Sequence, residues 1–194
     1  METAFRVSVR ELVSFTYFPP DIAPMGNVAD MLAGARAHRA REKAQSGAFE
    51  IEKRVSAEVT LAGQSTLVFG RMDAYQDNVT PIVEEMKLCK TPPKEALPDH
   101  RAQARVYAAL LTVDTDVQAV DVRVVYVNEE GEPVGVFGEV MPRAELQAQL
   151  FALLEVWLAF AVPEREHAMR AGMGLERPNV RKRGGKNGDG SVCI

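Results

Sequence analysis

The chain has 194 residues, of which 46% are hydrophobic and 26% charged, with a net charge of −4. That length is sufficient to bury a core without covalent or metal staples, and the composition is that of a soluble globular domain. The acidic balance argues against a protein that coats nucleic acid, but it allows an enzyme whose basic residues are local.

Two features bear on metal centres and location. The two cysteines, Cys89 and Cys193, belong to no CxxC pair or Cys/His cluster, so we expect neither a zinc site nor an iron–sulfur cluster. The N-terminus lacks the basic and apolar regions of a signal peptide. The most apolar stretch, 150–162, is shorter than a bilayer span and contains Glu155. We therefore expect a cytoplasmic protein without a membrane segment.

The N-terminal half predicts two helices followed by three strands. Residues 7–18 predict a short helix ended by Pro19-Pro20. Asn27 is a candidate cap for a second helix, which Gly47 would end; Leu32, Ala35 and His38 lie there at helical spacing and predict an inward face. Strands are predicted at 49–61, 66–75 and 80–89, with turns at 63–65 and 77–78.

The C-terminal half predicts a helix at 100–112, strands at 117–128 and 134–140, and a helix from Pro142 that stops at Pro163. Helix, helix, three strands, helix, two strands and helix predict an α/β domain in which helices cover a mixed sheet. We assign this domain to residues 1–177. Residues 178–194, rich in glycine, lysine and arginine, predict a disordered basic tail.

The candidate chemistry lies on the second and third predicted strands. Side chains alternate along a strand, so Glu85 and Lys87 project from one face, and a short turn would bring Asp73 beside them. Two carboxylates suit Mg²⁺ or Mn²⁺, and a neighbouring lysine could assist an attacking water or face a phosphate. By itself this pattern also fits a surface Glu/Lys pair, because short motifs recur by chance.

Helical residues extend the candidate site. His38 is either a core histidine or a metal ligand that reaches the sheet. Gln103 and Tyr107, four residues apart, share one helix face and are either a polar boundary pair or partners of the lysine. Basic residues near these elements would either bind DNA phosphates or lie on solvated surfaces: Arg36, Arg39, Arg41, Lys43, Lys90, Lys94, Arg101 and Arg105.

The ordered set Gly34-x-x-x-His38, Gly70-Arg71-Met72-Asp73, Glu85-Met86-Lys87 and Gln103-x-x-x-Tyr107 resembles the motifs of the PD-(D/E)XK nuclease superfamily in its RecB-like branch. That branch includes helicase-linked exonucleases and CRISPR-associated adaptation nucleases. The resemblance covers about residues 8–140. The sequence departs from the motif at Met72, which stands where the superfamily's name has proline.

The resemblance implies a restriction-endonuclease-like fold and a Mg²⁺- or Mn²⁺-dependent deoxyribonuclease, with exonuclease action favoured. It implies that His38, Asp73 and Glu85 bind metal, that Lys87 assists catalysis, and that Gln103 and Tyr107 form the branch's extra motif. It also implies DNA as the partner, with a helicase or another DNA-processing protein alongside. Two alternatives stay open: a nuclease-like binding module without cleavage activity, and a sequence-specific endonuclease.

Overall fold

The structure, a computed structural model, describes residues 5–17, 28–45 and 47–170. The predicted basic tail, the Pro19-Pro20 break and the Asn27 cap lie outside these residues. The helices and strands in chain order are β1 Phe5–Ser8, α1 Val9–Tyr17, α2 Val28–Gln45, β2 Glu50–Leu61, β3 Gln64–Gln76, β4 Ile82–Leu88, α3 Pro98–Thr112, β5 Ala119–Val127, β6 Pro133–Pro142 and α4 Arg143–Arg170.

These elements form a mixed α/β architecture with one six-stranded sheet in the order β1–β3–β4–β5–β6, and β2 on β3. The parallel pairs are β1 with β3 and β4 with β5, and the other pairs are antiparallel. The predicted central mixed sheet flanked by helices is therefore confirmed. One further strand, β1, joins it.

Strand β3 is long enough to have two neighbours along one edge. Its first half pairs with β1 at 66–69, and its last residues pair with β4 at 74–76. Its other edge pairs with β2 along nearly its whole length. Residues 70–73 therefore lie in a gap between β1 and β4, where the backbone edge has no strand partner.

The two faces of the sheet are covered unequally. Helices α1, α3 and α4 pack on one face and form the main core, in which Leu12, Val106, Leu146 and Trp157 are almost completely buried. Among the described elements, α2 alone covers the opposite face, where its Ala37 packs in a small cluster with Met86, Leu88, Val125 and Val127. Burial of apolar surface, the main stabilising contribution to folding, is thus concentrated on the face of α1, α3 and α4.

The N-terminal prediction was wrong over its first residues. Phe5 to Ser8 form β1, and the helix begins only at Val9. A strand of four residues is too short for its alternation to be separated from a helical pattern, and its pairing with β3 is set by tertiary structure. Ser8 Oγ accepts a hydrogen bond from the backbone N–H of Glu11 (3.1 Å), which caps α1.

The last helix does not stop at Pro163, as predicted, but continues to Arg170. Pro163 and Ala159 are both exposed, so the carbonyl that loses its helical partner can be hydrated. The segment Arg143–His167 is long and apolar enough to cross a bilayer by length and composition alone. Its Leu150, Leu154 and Trp157 side chains are buried in the main core, whereas Phe151, Val156 and Phe160 on the same helix are exposed, so burial accounts for only part of that composition.

Candidate active site

Asp73 lies in the gap on the edge of β3. Its Oδ2 accepts a hydrogen bond from the backbone N–H of Met86 on β4 (2.7 Å). The side chain is 19% exposed, so one oxygen is fixed against β4 while the carboxylate remains at the wall of a cleft. Because β1 has ended and β4 has not yet paired at this point, a side chain can fill the place of a strand partner.

Glu85 and Lys87 project from the same side of β4, as alternation predicts. Lys87 Nζ lies 3.0 Å from Glu85 Oε1 and donates a hydrogen bond to Gln103 Oε1 (3.2 Å). Glu85 is only 2% exposed, and within the described residues its Oε2 has no hydrogen-bond partner. A buried carboxylate oxygen without a partner is costly unless it gains a hydrogen-bond donor or a cation.

Gln103 and Tyr107 extend the site from helix α3. Both are buried, and the Tyr107 ring lies so close to Gly70 that a Cβ there would come within 2.7 Å of Tyr107 Cε1. Burial, and then the negative charges of Glu85 and Asp73, raise the pKa of Tyr107 to about 12. The hydroxyl therefore stays protonated and neutral beside the carboxylates. The sequence prediction of one shared helix face holds, and that face points at the site.

His38 reaches the same place from α2. Its Nδ1 lies 3.8 Å from Asp73 Oδ1, and its Nε2 lies 3.3 Å from the carbonyl oxygen of Met86. The side chain is 31% exposed and lines the cleft, so His38 is not a fully buried histidine of the core. The predicted apolar face of its helix was wrong, however, because Leu32 and Ala35 are exposed and Ala37 is the buried residue.

All six predicted site residues are thus close to Asp73 or to the Glu85–Lys87 pair. His38, Asp73, Glu85 and Lys87 line a cleft of about 600 Å³, and Gln103 and Tyr107 lie behind it. Burial, and then the negative charge of Glu85, raise the pKa of Asp73 well above its usual range. The Met86 N–H and the charges of Lys87 and Arg10 act in the opposite direction.

Asp73 and Glu85 supply the carboxylate oxygens that could bind a hard cation here. Within the described part of the chain, no three His, Cys, Asp or Glu side chains are arranged to hold a metal ion. Lys87 occupies one oxygen of Glu85, and His38 contacts Met86 as well as Asp73. Mg²⁺ is commonly held by one or two carboxylates together with waters and substrate phosphates. The unpartnered Glu85 Oε2 and the mutual repulsion of two close carboxylates are what such a cation would relieve.

The structure divides the basic residues that the sequence grouped together. Arg41 and Arg105 are engaged in ion pairs with Glu84 (3.7 Å) and Glu139 (2.6 Å), whereas Arg39 lines the cleft. Sequence reasoning missed Arg10, which follows the Ser8 cap and also lines the cleft. No spacing rule links the start of α1 to the site, because only the β1–β3 pairing brings them together.

His100 was also missed. It is buried on α3, and its Nδ1 lies 2.9 Å from the Tyr126 hydroxyl. Burial, and then the positive charge of Lys87, lower the pKa of His100 to about 4. The imidazole is therefore neutral at neutral pH and adds no second positive charge next to Lys87.

No protein-family model and no curated protein matches the chain. Among solved structures, the crystal structure of SSO0001 is similar at 19% identity and a TM-score of 0.54, over 80% of this chain and 78% of that one. LHK-Exo in complex with dAMP is similar at 19% identity over 84% of this chain and 94% of that one, with a TM-score of 0.39. At this identity the likeness to SSO0001 shows a shared fold and nothing about activity, and a TM-score of 0.39 does not establish a shared fold.

Proposed function

We propose that the protein is a metal-dependent deoxyribonuclease of the restriction-endonuclease-like, RecB-like type. The carrying observation is the convergence of Asp73 and Glu85 at the gap between β1 and β4 on the edge of β3, with Glu85 Oε2 unpartnered among the described residues and Lys87 beside it. A buried carboxylate, a partly buried one and a lysine in a cleft are the groups that metal-assisted phosphodiester hydrolysis needs.

Asp73 and Glu85 would hold Mg²⁺ or Mn²⁺, with His38 as a further ligand at the rim. When bound, such a cation polarises a phosphate oxygen and lowers the pKa of a coordinated water. Lys87 Nζ, held between Glu85 and Gln103, has one N–H left, which would donate a hydrogen bond to the phosphate as its negative charge increases or to the attacking water. Water adds through oxygen to phosphorus, and the bond from phosphorus to the leaving sugar oxygen breaks.

Gln103 and Tyr107 position Lys87 rather than react. Gln103 Oε1 accepts the lysine's hydrogen bond, and the Gln103 side chain also hydrogen-bonds Tyr107. Since the Tyr107 hydroxyl remains neutral, it can hold this arrangement without adding negative charge to the site. An amide fixed in this way would keep the lysine's remaining N–H directed to the cleft.

DNA is the proposed substrate, approached from a strand end. Arg10 and Arg39 line the cleft beside the carboxylates and would contact backbone phosphates. A strand end bound here would place its scissile phosphate in the cleft of about 600 Å³, beside the two carboxylates. As part of the same proposal, a helicase or another DNA-processing protein would supply the strand.

The test uses purified protein, end-labelled linear DNA and covalently closed circular DNA. We expect degradation of the linear DNA with Mg²⁺ or Mn²⁺, loss of it in EDTA, and no activity after Asp73→Ala or Lys87→Ala. Glu155→Ala removes an exposed carboxylate of α4 outside the cleft and serves as the control that keeps activity.

Three results would redirect the proposal. Cleavage of the closed circle would indicate an endonuclease. Equal DNA binding with metal and with EDTA, unchanged by Glu85→Ala and without cleavage, would indicate a binding module. A folded protein that neither cleaves nor binds DNA would refute both functions.

A further inference from the structure

The residue that precedes Glu85 in the chain points to the opposite face of the sheet. Glu84 is 3% exposed and lies under helix α2. Its Oε2 is 3.7 Å from Arg41 Nη2 on α2, and its Oε1 is 3.5 Å from Arg123 Nη1 on β5. One dipeptide of β4 therefore carries a candidate metal ligand on one face and, on the other face, the buried partner of the helix that bears His38.

Over the side chains that the structure describes, 32–44, helix α2 has little apolar surface to fix it in place. Among its described side chains, Ala37 is the fully buried apolar residue, packed with Ala33 against the small cluster around Met86. Leu32 is 51% exposed. Alanine contacts provide little shape to resist sliding or rotation of the helix, so buried charge pairs and close backbone contacts must define its position.

A second contact holds α2 from the β5–β6 turn. Gly131 has a φ of +80°, and a Cβ there would come within 2.7 Å of the Arg41 backbone nitrogen and 2.8 Å of the Ala37 carbonyl oxygen. The turn therefore packs backbone against backbone on the stretch 37–41, which includes His38. Only glycine permits both this conformation and this approach.

We propose that Glu84, Arg41 and Gly131 are positioning residues: they fix α2 at the height at which His38 faces Asp73. We call these three residues the α2 clamp, and the inference that they position the helix rests on their contacts alone. Its consequence for metal binding rests on the proposed function, in which His38 is a ligand. Partners that orient a metal-binding histidine typically change metal affinity by 10–100-fold when removed.

The test combines hydrogen exchange with metal binding. Glu84→Gln keeps the shape of the side chain and removes its charge. In metal-free protein we expect the amides of residues 37–41 to exchange at least about tenfold faster, and Mn²⁺ affinity measured by calorimetry without DNA to fall on the order of 10–100-fold. In a His38→Ala background, Glu84→Gln should cause no further loss of Mn²⁺ affinity, because the ligand it positions is already gone.

Matched variants separate this role from a general loss of stability. Glu139→Gln breaks the 2.6 Å pair with Arg105, which joins α3 to β6 away from α2, and should change neither the exchange of α2 nor Mn²⁺ affinity. Arg41→Lys retains the positive charge and should preserve most of the Mn²⁺ affinity that Arg41→Gln loses. If Glu84→Gln does not fold, Arg41→Gln removes the same pair from the helix side and provides the same measurements.

The outcomes distinguish the clamp from the nuclease proposal. Unchanged exchange across residues 37–41 after Glu84→Gln would overturn the clamp. So would an equal further loss of Mn²⁺ affinity in the His38→Ala background, because Glu84 would then act on Glu85 rather than through His38. The third outcome is faster exchange across residues 37–41 in Glu84→Gln than in the parent, while the parent itself binds no Mn²⁺ and cleaves no DNA. That result would support the clamp and refute the nuclease.

Discussion

Replacing Asp73 with asparagine should separate function from stability. The Asp73 carboxylate is largely removed from water and lies near Glu85. Desolvation, and then the negative charge of Glu85, raise its pKa. Asparagine keeps an oxygen that can accept the 2.7 Å hydrogen bond from the Met86 N–H and removes the charge that Glu85 repels. We therefore expect Asp73→Asn to abolish cleavage and to make the metal-free protein more stable.

The size of the stability change follows from the desolvation of the Asp73 carboxylate. Leaving a buried polar group poorly satisfied costs about 1–3 kcal/mol, and relief of that cost should raise the melting temperature by roughly 2–4 °C per kcal/mol for a chain of this length. With Mn²⁺ at about 1,000 times its dissociation constant, the parent gains about 4 kcal/mol, whereas the variant lacks the ligand. The order of stability should therefore reverse between EDTA and saturating Mn²⁺.

The pH dependence has a definite sign. A raised pKa means that folded Asp73 holds its proton to higher pH than the unfolded chain, whose value is near 3.8. The stability of the parent consequently falls as pH rises from that value through the folded pKa. The advantage of Asp73→Asn should be absent at pH values below the unfolded pKa and largest above the folded one.

Thermal unfolding of parent and variant, each in EDTA and in Mn²⁺, at about pH 5 and about pH 8, provides the assay. A variant less stable than the parent in EDTA at the higher pH would refute the argument that the two carboxylates repel each other. A variant that still gains stability from Mn²⁺ to the parent's extent would remove Asp73 from the metal site.

The remaining predictions concern the lysine, the histidine and the glycine under the tyrosine. Lys87→Ala should lower the cleavage rate at saturating Mn²⁺ by about 10²–10⁴-fold while the protein still binds the metal; an unchanged single-turnover rate would exclude a catalytic role. His38→Ala should weaken Mn²⁺ binding in calorimetry and change the melting temperature in EDTA little, since the side chain is 31% exposed; a destabilised variant with unaltered metal dependence would remove it from the site. Gly70→Ala should displace the Tyr107 ring, destabilise the fold by about 1–3 kcal/mol in denaturant titration and reduce activity, whereas Gly34→Ala, with no atom near its added Cβ, should not destabilise the fold.

Local rules in the sequence determined much of the site. A strand period of two places Glu85 and Lys87 on one side and Glu84 on the other, and a helix period places Gln103 beside Tyr107. Most element types follow from the same local patterns. The predicted ends of the elements were less accurate. The helix that was expected to stop at Pro163 continues to Arg170, because the carbonyl that Pro163 leaves without a helical partner is exposed and can be hydrated.

Which groups from other strands and helices lie opposite the site residues was decided by the tertiary structure alone. Asp73 reaches the Met86 N–H because β1 and β4 share one edge of β3 and leave a gap between them, and strand neighbours so distant in sequence are set by packing. His38 faces Asp73 although the helical pattern predicted a different buried side of α2. The buried Glu84–Arg41 pair and the contact at Gly131 orient that helix, and neither has a signature in local sequence, because each joins segments that meet only in the folded chain.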